Sequence, residues 1–68
     1  MAEQLKTFLR LKQIILATGL SRSWIYEAMR RGEFPQSVSL GARAVGWDAD
    51  AVAAWQAARI QQAGQASA

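Results

Sequence analysis

Between Thr18 and Pro35 the chain reads TGLSRSWIYEAMRRGEFP, which places three arginines, Arg22, Arg30 and Arg31, inside one short helical pattern. Ser21 is a good N-cap, because its hydroxyl can accept from a free amide of the first turn. A helix therefore starts at Arg22 and runs to about Arg31. Gly32 closes it, as a glycine just past the last turn enters the left-handed region cheaply. At 100° per residue Ile25, Ala28 and Met29 form one narrow apolar face, with Ser23, Glu27 and Arg30 opposite. Tyr26 and Arg31 lie on the shoulders. Arg22 sits in the first turn, from which a long side chain reaches past the helix end. Trp24 flanks the apolar face, where packing, stacking on a partner and a dimer contact all remain open.

Upstream, Leu11, Ile14, Ile15 and Ala17 recur at three- and four-residue intervals, which predicts a first helix over 11–18 stopped by Gly19. Leu20 anchors the turn. TFLR (7–10) is a short strand or a lead into that helix, and residues 1–6 are polar and expected to be loose. Downstream the period changes to two. FPQSVSL and AVGW read as a hairpin, with Val38 and Leu40 on one face of its first strand and Val45 and Trp47 on one face of its second. Gly41–Arg43 is the link, and Pro35 suits a strand entrance. Asp48 then caps a third helix over about 49–60, with Asp50 at its positive end. Val52, Trp55 and either Ala58 or Arg59 form the inward stripe, which is expected to pack on Val45 and Trp47. QQAGQASA (61–68) has almost nothing to bury and is expected to be disordered.

Composition narrows the function. With 68 residues the chain holds one small domain, whose core needs large side chains such as Trp47 and Trp55. Eight lysines and arginines against five acids give a net charge of +3, which favours an acidic partner. There is no cysteine and no histidine. Thiolate zinc sites and disulfides are excluded, and neither a nucleophile–base pair nor a Gly-rich phosphate loop is present. No enzyme, cofactor, metal or small-molecule substrate is expected. No apolar run reaches the roughly 20 residues of a spanning helix and no secretory signal pattern is present, so a cytoplasmic location is expected.

Two short helices joined at TGLS, the second carrying a basic outer face, are the parts of a helix-turn-helix. Packing by Ile25 and Met29 frees Ser21, Arg22, Ser23, Tyr26 and Arg30 to face a major groove. There arginine can grip guanine edges with two hydrogen bonds, and hydroxyls can reach phosphates or bases. The hairpin makes a wing with Arg43 at its tip, beside the backbone or the minor groove. The fold class is thus mainly α with a small β-hairpin, a three-helix winged helix-turn-helix over residues 7–60.

The span LRLKQIILATGLSRSWIYEAMRRGEFPQSVSLGARAVGWDADAVAAW resembles the AlpA-type phage and prophage regulators, which are related in fold to the MerR and excisionase groups. TGLSRS–IY, GEFP and RAVGW followed by Val52 and Trp55 carry the resemblance. It implies binding to double-stranded DNA near attachment sites or promoters, with activation of integrase or excisionase expression or direct action in excision. It places the recognition helix at Ser21–Arg31 and the wing at Val38–Val45. Trp24 departs from the pattern, since the family more usually has a small polar residue there.

Simpler roles stand beside these. Arg30 and Arg31 complement the helix dipole, and Glu27–Arg31 is a well-oriented i,i+4 pair. Arg22 opposes the dipole and so has less structural reason to be there. A protein-binding adaptor, docking through Trp24 and Tyr26 on another regulator or on polymerase, is the competing function. Self-association on repeated sites is compatible with either reading.

Overall fold

The computed structural model describes residues 5–67, with side chains described through residue 63. Residues 1–4 and 68, which fall in the segments expected to be loose and disordered, lie outside the described residues. The elements run β1 (Phe8–Leu9), α1 (Leu11–Thr18), α2 (Arg22–Arg30), β2 (Val38–Ser39), β3 (Val45–Asp48) and α3 (Ala49–Ser67). Three helices and a small antiparallel sheet make a mainly α protein in the winged helix-turn-helix layout.

Both glycine stops hold: Gly19 and Gly32 have φ of 74° and 75°, backbone that an L side chain would strain. The three-residue turn between α1 and α2 is cross-tied by Thr18, whose Oγ1 donates to the Ile14 carbonyl at 2.8 Å and accepts from Leu20 N–H at 3.2 Å. Ser21 caps α2 through Oγ, which accepts from Trp24 N–H at 3.1 Å. The turn that sets the angle between the two helices is therefore held by local hydrogen bonds.

The core is Ile14 from α1, Ile25 and Ala28 from α2, Phe34 from the α2–β2 connection, Trp47 from β3 and Val52 from α3. Met29 packs at its edge, as do Leu11 and Ile15. Ala17, expected on the inner face of α1, is exposed.

The sheet has three strands, ordered β1-β3-β2, rather than the two of a bare hairpin. Thr7–Arg10 thus contributes a strand, and the Ala49 N–H donates to the Thr7 carbonyl at 2.8 Å beyond the β1–β3 ladder. Register sorts the side chains, since directly paired residues share a face and the face alternates along each strand. Leu9 pairs with Trp47 on the core side, while Phe8 pairs with Asp48 and Val38 with Gly46 on the outer side. Val38 and Leu40 therefore point away from Trp47, and with Phe8 they remain about 40% exposed (42%, 41% and 41%). Val45 shares the core-side face of β3 but lies past the core's edge and is exposed. The FPQSVSL strand is shorter than expected, because Phe34 leaves strand geometry to enter the core. The wing loop matches the expected Gly41–Arg43 link, closed by Leu40 N–H donating to the Ala44 carbonyl at 2.7 Å.

Asp48 begins α3 as expected: its Oδ1 accepts from Asp50 N–H at 3.0 Å. Val52 is buried, and Trp55 packs on Phe34 and Trp24, with ring centroids 4.9 and 6.2 Å away. Neither Ala58 nor Arg59 continues the inward stripe. Both are exposed, and the Arg59 guanidinium lies 5.1 Å from the Trp55 ring centroid. α3 also runs on to Ser67, past the expected end at Ile60 and through most of the segment expected to be disordered. Alanine and glutamine are strong helix formers, and their propensity carries the helix where no apolar stripe supports it.

Candidate nucleic-acid interface

Trp47 is the pivot between core and surface. Its ring is fully buried, its Nε1–H donates to the Pro35 carbonyl at 3.0 Å, and its edge meets the Tyr26 ring at 6.4 Å between centroids. Tyr26 therefore leans on the core with one side and is 39% exposed on the other. The Arg22 guanidinium lies 5.8 Å from the Tyr26 ring centroid, a distance at which the ring quadrupole attracts a cation. A first-turn arginine that the helix dipole disfavours is thus held on a half-exposed aromatic ring, one helical turn from the α2 N-terminus.

Ser23, Tyr26, Glu27, Met29, Arg30 and Gln36 line one shallow depression on the outer side of α2. Arg30 Nη2 donates to both Glu27 carboxylate oxygens, at 2.7 and 2.6 Å. The expected Glu27–Arg31 pair is absent: Glu27 takes Arg30 at i,i+3, and Arg31 turns to Glu33, with Nη2 3.2 Å from its Oε1. The cause is that Arg31 is the C-cap of α2, with φ −85° and ψ −2°, and the following turn brings Glu33 within reach. Gln36 enters from the α2–β2 connection, where Nε2–H donates to the Met29 carbonyl at 2.8 Å and satisfies an end of the helix.

Of the residues singled out from sequence, Ser23, Tyr26 and Arg30 share this depression, and Arg22 adjoins it through Tyr26. Ser21 is exposed, but its oxygen is committed to the cap. Arg43 stands apart on the wing loop, exposed and with no hydrogen bond, ion pair or ring contact among the described residues. Trp24, left open from sequence, packs edge-on against Trp55.

Sequence reasoning missed Gln36 and gave Glu27 the wrong partner. It also passed over Arg10 and Lys12 at the start of α1. Each described carboxylate, Glu27, Glu33, Asp48 and Asp50, is engaged by Arg30, Arg31 or Lys6. The cations left without a carboxylate among the described residues are Arg10, Lys12, Arg22, Arg43 and Arg59. Pairing off charges along the helices could have found Arg10 and Lys12, since α1 contains no acid. No described helix is long and apolar enough to cross a membrane.

Residues 7–60 match the family model described as prophage CP4-57 regulatory protein (AlpA). The chain is 53% identical over 53 residues to an uncharacterised protein, ORF88, of Enterobacteria phage P4; the alignment covers 78% of this chain and 60% of that relative.

Proposed function

The chain belongs to the AlpA family of prophage regulatory proteins, and from that premise we propose that it is a sequence-specific, double-stranded-DNA-binding regulator of a phage or prophage. Its output is either activation of integrase or excisionase expression or direct action as an excision factor. It works in the bacterial cytoplasm, on the nucleoid when DNA-bound, without cofactor or catalysis. The observation that carries this reading is the division of α2: Ile25 and Ala28 are buried, while Arg22, Ser23, Tyr26 and Arg30 all stay on the surface, two of them cations beside free hydroxyls.

In this reading α2 enters the major groove by its N-terminal half and outer face. Arg22 and Arg30 approach base edges, and Ser23 and Tyr26 donate to bases or phosphates. Ser21 fixes the helix start and has only its hydroxyl hydrogen left to donate. Arg43, which no described protein group engages, approaches phosphates beside the helix. Against the adaptor alternative stands the packing of Trp24 on Trp55, which leaves Tyr26 as the exposed anchor. Titration with duplex DNA at two salt concentrations tests the proposal. Phosphate-driven binding falls steeply as salt rises; affinity that is absent, or that ignores salt, would overturn it.

A further inference from the structure

Glu27 is a carboxylate set in the middle of the face offered to a polyanion, and stability does not explain its presence. It and Arg30 are 49% and 74% exposed, and an exposed i,i+3 ion pair contributes only a few tenths of a kcal/mol. Its cost to general DNA attraction is larger, because a negative charge in contact with phosphates repels them and cancels one of the two cations of α2. What a carboxylate offers in a major groove is acceptance from a donor, and the cytosine N4 amine is the partner it suits. Arg30 beside it offers the complement. Both contacts to Glu27 use Nη2, so Nη1 keeps its hydrogens to donate a single bond to the O6 or N7 acceptor of a guanine.

We propose that Glu27 is the specificity-determining residue of the α2 face, accepting from a cytosine N4 amine while it orients Arg30 onto a guanine, so that the pair selects G·C base pairs and weakens binding everywhere else. The inference rests on the DNA-binding reading above. Specificity gained by a repulsive element is a difference of affinities: the carboxylate lowers binding to random sequence more than to the selected one. Glu27→Gln keeps the size and helix propensity of the side chain and removes the charge. Arg30 then loses its ion pair and one of its two acceptors, and the amide can donate as well as accept.

The test is parallel selection of parent, Glu27→Gln and Arg30→Ala from one randomised duplex library, followed by anisotropy on the selected and scrambled duplexes. The parent is expected to enrich a motif containing G·C pairs. Glu27→Gln should lose the preference at one or two of those positions and bind scrambled duplex about fivefold more tightly, the effect of removing one contact-distance repulsion in water. Arg30→Ala should lose the preference at the same positions while weakening scrambled binding. A Glu27→Gln protein that enriches the parent's motif with an unchanged ratio of selected to scrambled affinity overturns the proposal and leaves DNA binding standing. A parent that enriches nothing and binds no duplex overturns both.

Discussion

Trp55 Nε1–H donates to the Glu33 carbonyl across 2.8 Å, joining the middle of α3 to the connection that leaves α2. The same ring covers Phe34. Trp55→Ala is expected to cost about 3–5 kcal/mol, as removal of a packed aromatic does, which is most of the stability of so small a domain. Trp55→Phe keeps the ring but leaves the carbonyl to water, and should cost about 1 kcal/mol. Chemical denaturation of the two variants separates packing from hydrogen bonding; equal losses would mean the indole N–H is the dominant tie.

Gly46 is buried at the centre of the sheet, and a Cβ there would meet Leu40 Cδ1 at 2.7 Å, the Leu9 carbonyl oxygen at 3.3 Å and Phe8 Cβ at 3.3 Å. The Leu40 methyl can swing away, but the β1 backbone cannot without breaking its ladder. Gly46→Ala is expected to lower stability by about 1–3 kcal/mol, the usual range for overpacking. A thermal melt matching the parent would show that β1 yields freely.

Lys6 Nζ bridges Asp50 at 2.9 Å and Asp48 at 3.3 Å, and the hydrogen bonds to Asp50 and then Asp48 raise its pKa above the ordinary 10.5. A raised pKa in the folded state means stability that is fully present below the unfolded value and is lost as pH rises through the folded one. The parent should therefore melt above Lys6→Met at neutral pH, and the gap should close as pH climbs beyond 10.5. A gap that persists unchanged at the highest pH would assign the effect to the aliphatic stem. The bridge also shows that residue 6, expected to be loose, is tied to the start of α3.

The arginines of the proposed interface should fail in different ways. Arg43→Ala is expected to weaken selected and scrambled duplexes alike and to reduce the salt slope by about 1. Arg22→Ala should cost about 1–3 kcal/mol on the selected site and much less on the scrambled one. Arg31→Ala, which removes a partner of Glu33, should change binding little. Fluorescence anisotropy measures all three, and an Arg22→Ala protein that binds both duplexes as the parent does would remove the α2 first turn from the interface.

No residue beyond Ile60 belongs to the described core. We propose that residues 7–60 are the folding unit. A chain ending at Ile60 should melt at the parent's temperature; a loss of several degrees would show that the last turns of α3 support the domain.

Local chemistry was legible in the sequence wherever one residue type answers one need. Gly19 and Gly32 stop helices, Ser21 and Asp48 begin them, and the spacing of Ile14, Ile25 and Ala28 marks buried faces. Long-range choices were not. Two residues of β1 carry too little pattern to declare their pairing with β3, so the sheet looked like a hairpin. Val38 and Leu40 alternate as core residues do, yet their side is set by register against Gly46, which no local signal reports. Glu27 had geometrically acceptable partners at i+3 and i+4, and only the turn that delivers Glu33 to Arg31 separates them. Trp24 needed the position of α3 before its neighbour could be known.

The depression on α2 contains two kinds of position. Tyr26 is built into the wall of the core through Trp47, so a change there alters stability along with recognition. Ser23, Glu27 and Arg30 are exposed and absent from the core, where substitutions usually shift stability by less than about 0.5 kcal/mol. If α2 reads DNA as proposed, a lineage of such proteins can therefore rewrite these three letters and move to a new operator while the scaffold beneath them stays folded.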